Sequence, residues 1–462
     1  MPEFAGGSAA NFRHMLFAQT EAFVNISRIV KKIYFNGGSL TDTDMSLSRR
    51  ISVFEGCTAR SILTLTSGAF LVGFAKYLGA NDEIAGIIAA IPVLTGIITA
   101  FSPAAFEKMR NRKLITCLFC LIGRLLLGLM IFIPLIRVEP SIKISLLIFA
   151  FLVSNLFLAF TIPASQTWLL AITPGDIRGA YFGRRESIVL GVVTCITLLM
   201  GQVLDRFQKT GQPFSGFLII YIFVIAAAIV NFILFSSMKE PAYPQPVRKI
   251  NIRNVMLLPL RNRKYMSIVF VMLIWNVGFQ LAAPFTSVYM ISRLELGYGY
   301  ITLMLVLSSA ASIVSVRFWG RLADKRSWMY LLKIMMLIQA LCYVIWFMTD
   351  ADTALVLLPI AHILGGAAIS GINISISNIQ YNFAPAENKT VYMGFSSAVN
   401  GMFGFSGTLA GSCFIKFTPG LVTSAGGFSI GSIQVIFVLA AAVLTAGIAL
   451  AQVINKREIN NS

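Results

Sequence analysis

Twelve apolar runs of at least 20 residues dominate this 462-residue chain. They cover approximately residues 56–79, 82–106, 114–136, 144–172, 186–205, 214–238, 265–290, 298–319, 329–349, 354–382, 393–416 and 429–454. About 20 apolar residues in a helix cross the hydrocarbon of a bilayer. Within that layer each backbone polar group needs an internal partner, which leaves helices and closed barrels. These runs do not alternate at period two, so a β-barrel is excluded. Only 12% of the residues are charged and the mean hydropathy is +0.79, where a soluble domain carries roughly 25% charge. Soluble, disordered and fibrous classes are set aside, and the expected fold class is an all-α polytopic membrane protein.

One polar stretch divides the runs six and six. Residues 239–264 hold four prolines and seven basic residues. The expected organisation is a tail (1–54), a six-helix bundle (55–238), a central loop (239–264), a second six-helix bundle (265–455) and a short C-terminal tail (456–462). No signal peptide is expected, because the first long apolar run begins more than fifty residues into the chain. Residues 12–35 mix Met15, Leu16, Phe23, Ile26, Ile29 and Ile33 with Arg28, Lys31 and Lys32. They read as a basic amphipathic helix on the membrane face. A poorly ordered tail, or a working start near Met45, stands as the alternative.

The charge is lopsided: 37 basic residues against 19 acidic ones, a net +18. With the N-terminus inside, 28 basic residues fall on the cytoplasmic side and 7 outside, while Arg124 and Lys333 lie within spans. That bias places both termini in the cytoplasm of a plasma membrane protein. The positive charge is thus a mark of orientation, and no nucleic-acid partner is expected. The six cysteines read as small packing residues. Cys117-x-x-Cys120 has redox or zinc spacing but sits in an apolar run with no second pair and no nearby His.

The halves repeat each other. Pro174-x-Asp176-x-Arg178-x-x-Tyr181-x-Gly183 follows the fourth run, and Pro385-x-Glu387-x-Lys389-x-x-Tyr392-x-Gly394 follows the tenth, 211 residues later. Glu107-Lys108 with Arg110, and Asp324-Lys325 with Arg326, form a second pair about 217 residues apart. Two matches in equivalent loops point to duplicated six-helix units.

Gly320-x-Leu322-x-Asp324-Lys325-Arg326 resembles the loop signature of the major facilitator superfamily. The copy after the second run, around Glu107, is degraded, and the Arg178-Gly179 segment resembles that family's loop between spans four and five. The resemblance extends from about residue 55 to 455. It implies twelve transmembrane helices in two pseudo-symmetric six-helix bundles that rock against each other. It further implies that Glu107, Arg178, Gly320, Asp324, Lys325 and Arg326 belong to a latch of the outward-open state. A carboxylate at a helix end can bind basic groups and a neighbouring helix N-terminus; the alternative is ordinary surface ion pairing.

The resemblance also implies that spans one, four, seven and ten line a central pathway. Each carries polar residues at helical spacing. Span one has Arg60, Thr64 and Ser67. Span four has Thr161, Ser165 and Trp168, with Gln166 beside them and Asn155 further along. Span seven has Trp275, Asn276 and Gln280. Span ten has Ser370, Asn373, Ser377 and Gln380, and span eleven adds Ser396, Ser397 and Asn400. Such groups in hydrocarbon require partners, so a shared polar cavity is expected, with interhelical hydrogen bonding as the alternative. If Arg60 lines that cavity, an anionic substrate is favoured.

Every carboxylate is expected in a loop or at a span end, so Arg124 lies in span three without an embedded acid. His362 in span ten, Asp205 at the outer end of span five and Arg124 are the candidates for ion coupling. The expected function is a secondary active or facilitative transporter of a small polar solute, sugar-like or a small organic anion, working as a monomer in the lipid bilayer. No cofactor or metal is expected beyond a proton or sodium as coupling ion. Drug or metabolite efflux by proton antiport is the alternative, and a non-transporting membrane sensor or anchor is the alternative from another class. An embedded enzyme would cluster His, Asp or Glu at membrane depth, and no P-loop for a pump is present.

Overall fold

A computed structural model describes residues 34, 40–106, 109, 112–241, 258–385, 389–418, 422–425 and 428–459. The proposed tail helix, Glu107, Lys108, Arg110, Glu387 and most of the central loop lie outside the described residues.

The first half contains α1 (Asp42–Leu65), α2 (Gly68–Tyr77), α3 (Asp82–Thr95), α4 (Ile98–Phe106), α5 (Lys113–Leu129), a 3-10 turn (Met130–Leu135), α6 (Pro140–Ala171), α7 (Arg178–Lys209) and α8 (Pro213–Ser237). The second half contains α9 (Arg263–Ser292), α10 (Tyr298–Lys325), α11 (Trp328–Met348), α12 (Ala354–Phe383), α13 (Lys389–Phe417), strands β1 (Val422–Ala425) and β2 (Phe428–Gly431), and α14 (Ser432–Ile459). Spans one to three are thus the pairs α1–α2, α3–α4 and α5 with its 3-10 turn. Spans four to six are α6 to α8, and spans seven to twelve are α9 to α14.

Ten helices among the described residues are long and apolar enough to cross a membrane, and an eleventh if the bent pair α1–α2 counts as one span. Twelve were expected. The remaining run forms α13, a 29-residue helix whose Gly401, Gly404, Gly407 and Gly411, with several serines, dilute its hydropathy. Span one is bent by 41° where Gly68 takes a left-handed φ of +51°, a conformation open to glycine at little steric cost. Ser67 therefore sits at the break, outside both helices. The last apolar run begins as β2, which pairs antiparallel with β1 from Val422–Gly431 to Ala425–Phe428, and the helix starts only at Ser432.

The first helix also begins well before its apolar run. The Thr41 hydroxyl accepts from the Asp44 N–H at 3.2 Å, and the Asp44 carboxylate accepts from the Thr41 N–H at 3.4 Å. This reciprocal cap starts α1 at Asp42 and satisfies two otherwise orphaned donors. Residues assigned to the tail thereby become helix, and Glu55 stands more than three turns inside it.

The bundle buries an apolar core while large apolar side chains such as Phe149, Leu199, Phe270 and Leu355 face outward, as a hydrocarbon solvent permits. Consecutive spans run up and down. We call the end where α1 begins the near end and the opposite one the far end. The halves meet where α3–α4 pack against α13, α7 against α10, and α9 against α2 and α3.

The duplication is visible in hydrogen bonds. Tyr181, in the first turn of α7, donates to the Arg49 carbonyl at 3.0 Å. Tyr392, in the first turn of α13, donates to the Leu258 carbonyl at 3.4 Å. Each motif tyrosine thus hooks the fifth span of its half to the start of that half's first span.

Candidate functional site

Five charged side chains form a continuous chain through the first half. Glu55 on α1 lies 3.6 Å from Arg124 on α5 and 3.5 Å from Arg185 on α7. The three side chains are only 9–13% exposed. Arg185 also pairs with Glu186 at 2.9 Å, and Glu186 with Arg60 at 3.6 Å. Asn231 on α8 completes the inner end. It accepts from Arg124 and donates to Glu55 Oε1 at 3.3 Å, the Glu55 carbonyl at 3.0 Å and the Thr58 hydroxyl at 2.7 Å. Arg185 further donates to the Ser52 carbonyl at 3.2 Å. It lies flat on α1 because Gly56 leaves room: a Cβ there would sit 2.5 Å from its Nη2.

Arg124 therefore has an embedded acid after all. Charges taken out of water are tolerated when paired and hydrogen-bonded, and Glu55 meets that condition with two arginines and an amide. One atom is left over, the buried Nε of Arg124, which has no hydrogen-bond partner.

The chain of charges ends in a cavity of about 670 Å³ between α1, α7, α10 and α12, within the range of small-molecule sites. Arg60, Glu186 and Arg317 line it together with hydroxyls that include Thr64, Thr197, Ser309 and Ser312. It lies along Gly183–Thr197 of α7 and Leu305–Arg317 of α10, from mid-helix toward the near end. At the far end the same two helices are fastened together. Asp205, near the end of α7, accepts from the backbone N–H groups of Tyr298 at 2.5 Å and Gly299 at 2.7 Å. These are first-turn donors of α10, where the helix dipole favours an anion. Phe70 stacks on Tyr298, and Ser412 donates across the halves to the Glu83 carbonyl at 3.0 Å.

Of the expected pathway residues, Arg60 and Thr64 line this cavity, whereas those of spans four and seven do not. Several of the rest bond within their own helices. Asn155 donates to the Phe151 carbonyl, Thr161 to Leu158, Ser165 to Thr161, and Ser377 to Asn373. Gln166 and Asn373 are exposed. Trp168 donates to the Lys239 carbonyl and stacks on Phe235; Trp275 stacks on Phe279. Asn276 donates to the main-chain carbonyl of Asn400, the main-chain carbonyl of the buried Gln280 accepts from Thr408, and Gln380 donates to the Met272 sulfur. His362 faces Trp346 and bonds the Leu358 carbonyl of its own helix.

Among the loop residues, Arg178 donates to the Thr173 carbonyl at 3.2 Å and the Leu170 carbonyl at 3.4 Å, at the end of α6. Gly320 has open space beside it. Asp324 and Lys325 are exposed and make no ion pair with any described residue. Arg326 rests over the Tyr330 ring. Glu55, Arg185, Glu186, Asn231 and Arg317 are added to the site by the structure. For Glu55 a signal existed in the sequence: Thr41-x-x-Asp44 is a helix-start pattern.

The sequence profile of the Major Facilitator Superfamily matches residues 56–408. No curated protein matches the chain in sequence. Among solved structures, a nucleoside transporter NupG (D323A mutant) superposes with a TM-score of 0.65 at 12% identity, over 89% of this chain and 99% of its own. A bacterial homologue of the human lysosomal transporter Spinster, solved inward-facing and occupied, gives 0.62 at 15% identity, over 91% and 98%. A POT family transporter in complex with a thioalcohol-conjugated peptide gives 0.60 at 13% identity, over 91% and 96%. At such identities the likeness concerns the fold, while the profile spans three quarters of the chain. The chain belongs to the Major Facilitator Superfamily and is a multi-pass membrane transporter.

Proposed function

We propose that the protein is a secondary transporter that moves a small polar solute, sugar-like or a small organic anion, across the plasma membrane by alternating access. The carrying observation is the asymmetry between α7 and α10: a polar cavity separates them at the near end, and Asp205 fastens them at the far end. With both termini in the cytoplasm, as the charge bias suggests, this is an inward-open arrangement. The likeness to an inward-facing Spinster homologue supports that reading. Asp324, exposed and without an ion pair among the described residues, fits a latch that engages only when the near end closes.

Glu55 joins His362 as a candidate for a coupling proton. His362 is engaged with its own helix and Trp346, whereas Glu55 is an embedded carboxylate tied through Arg185 and Glu186 to the cavity wall. The test is flux of labelled neutral hexoses and small hydroxycarboxylates in liposomes, with and without a pH gradient. Solute-specific flux that Asp205→Ala alters is the expected result. No flux above empty liposomes across that panel would overturn the reading. If a gradient drives flux in the native chain, while Glu55→Gln keeps downhill flux but no longer responds to the gradient, Glu55 carries the proton.

A further inference from the structure

We propose that the α7–α10 cavity selects small organic anions, held between Arg60 and Arg317, and that Glu186 is the internal counterion the solute displaces from Arg60. The proposal rests on the transporter reading and narrows its substrate class.

Three charged residues line the cavity: Arg60, Arg317 and Glu186. Behind Glu186 stand Arg185, Glu55 and Arg124. Four arginines face two glutamates across the cavity and its wall, an excess of two positive charges. Hydrocarbon around such a site screens it less than water does, so the field reaches a solute inside. The hydroxyls of Thr64, Thr197 and Ser309 donate to carbonyls of their own helices. They bring no second carboxylate to balance the arginines.

Glu186 is placed for exchange. It bridges Arg185 at 2.9 Å and Arg60 at 3.6 Å, and its side chain is 53% exposed. An incoming carboxylate, sulfonate or phosphate can take over Arg60 while Glu186 keeps its shorter bond to Arg185. Neither carboxylate is then stranded, and a desolvated unpaired charge is the costly outcome. Arg317 has no ion pair among the described residues and offers the second contact. Guanidinium groups suit this task, because they present paired donors to planar anions.

The test uses charged thiol reagents, which need no known substrate. Exposed Cys195 and Cys413 are replaced by serine, the four buried cysteines stay, and Thr64→Cys places a thiol one turn from Arg60. Labelling rates with an anionic sulfonatoethyl and a cationic trimethylammonioethyl methanethiosulfonate are each divided by that reagent's rate with a free thiol. The expected normalised ratio favours the anion by about tenfold, within the range of electrostatic focusing in clefts. Arg60→Gln or Arg317→Gln should lower it, and Glu186→Gln should raise it. A ratio at or below one in the unsubstituted charge background overturns the anion assignment. So does a ratio that neither arginine substitution changes. No labelling by either reagent in the folded protein overturns the open cavity itself, and with it the inward-open arrangement on which this inference stands.

Discussion

The two halves share a scaffold and differ in how its centre is held. Tyr181 and Tyr392 make the same hook to the start of their half's first span. At the next layer the chemistry diverges. In the first half Glu55 meets Arg185 as a buried ion pair. Tyr265 and Ser396 stand 210 and 211 residues after them and meet as a neutral hydrogen bond at 2.6 Å, with Tyr265 also donating to the Tyr392 carbonyl at 2.8 Å. Span three's Arg124 bonds Glu55, while Gln339 of span nine, also buried, leaves its Oε1 without a partner. The backbone tie persists in both copies, and the charges persist in one. Charge confined to one copy does not serve the fold in general, since the other half packs without it.

The sharpest way to break this contrast is to neutralise its centre. Glu55→Gln leaves Arg124 and Arg185 facing each other without their shared carboxylate. Losing one partner of a buried pair costs about 3–5 kcal/mol. Tyr265→Phe removes neutral bonds worth about 1 kcal/mol each. Melting of the detergent-purified proteins should show a far larger drop for Glu55→Gln, and equal drops would erase the distinction. Adding Arg124→Gln to Glu55→Gln should recover part of the loss.

Gly56→Leu comes next. Its side chain takes the space of the Arg185 guanidinium, and overpacking of this kind costs about 1–3 kcal/mol. The drop should shrink when Arg185→Ala is present, a coupling read from the double-mutant cycle. Additive losses would mean that Gly56 serves ordinary helix packing.

Tyr181→Phe and Tyr392→Phe test the shared hook. Each should lower stability by about 1 kcal/mol, with Tyr181→Phe the larger because its hydroxyl also meets Ser52. A loss in only one half would show that the duplication has drifted there too.

The smallest effect lies in a loop of the second half. Hydrogen bonds from the Thr353 hydroxyl, and then its N–H, hold the Asp350 carboxyl below its usual range. A carboxyl whose folded value is lowered contributes stability above its unfolded value, and loses it as pH falls through the lowered one. The melting difference between the native chain and Thr353→Ala should be present at neutral pH and shrink in acid. A difference that grows in acid would reverse the sign.

Much of the architecture was legible. Run lengths marked the helices, and the loop motif separated by 211 residues marked the duplication, because both depend on local chemistry. Glu55 was missed for a physical reason. Apolar averaging began span one near residue 56, so an acid one residue earlier looked like a helix end, while the capping pair Thr41 and Asp44 had already started the helix at Asp42. Of the polar stripes, only that of span one reached the cavity wall, through Arg60 and Thr64. Ser165, Ser377 and Asn155 bond carbonyls one turn back in their own helices, and a side chain that satisfies itself locally can face any direction. Cavity placement depends on how α7 and α10 splay, a long-range property that no single helix encodes.

Asp205 has a consequence of a different kind. Its two donors are main-chain amides, so the second half contributes no side chain that a point substitution could delete. An alanine scan of α10 would register the fastening at Gly299 alone, by adding a Cβ there rather than by removing a partner. Vulnerability is confined to Asp205 itself and to Gly297 and Gly299, where a Cβ would come within 3.0 Å of the carboxylate oxygens. A bolt carried by one body and received by the peptide chain of the other leaves sequence drift on the receiving side free, so long as those two glycines remain bare.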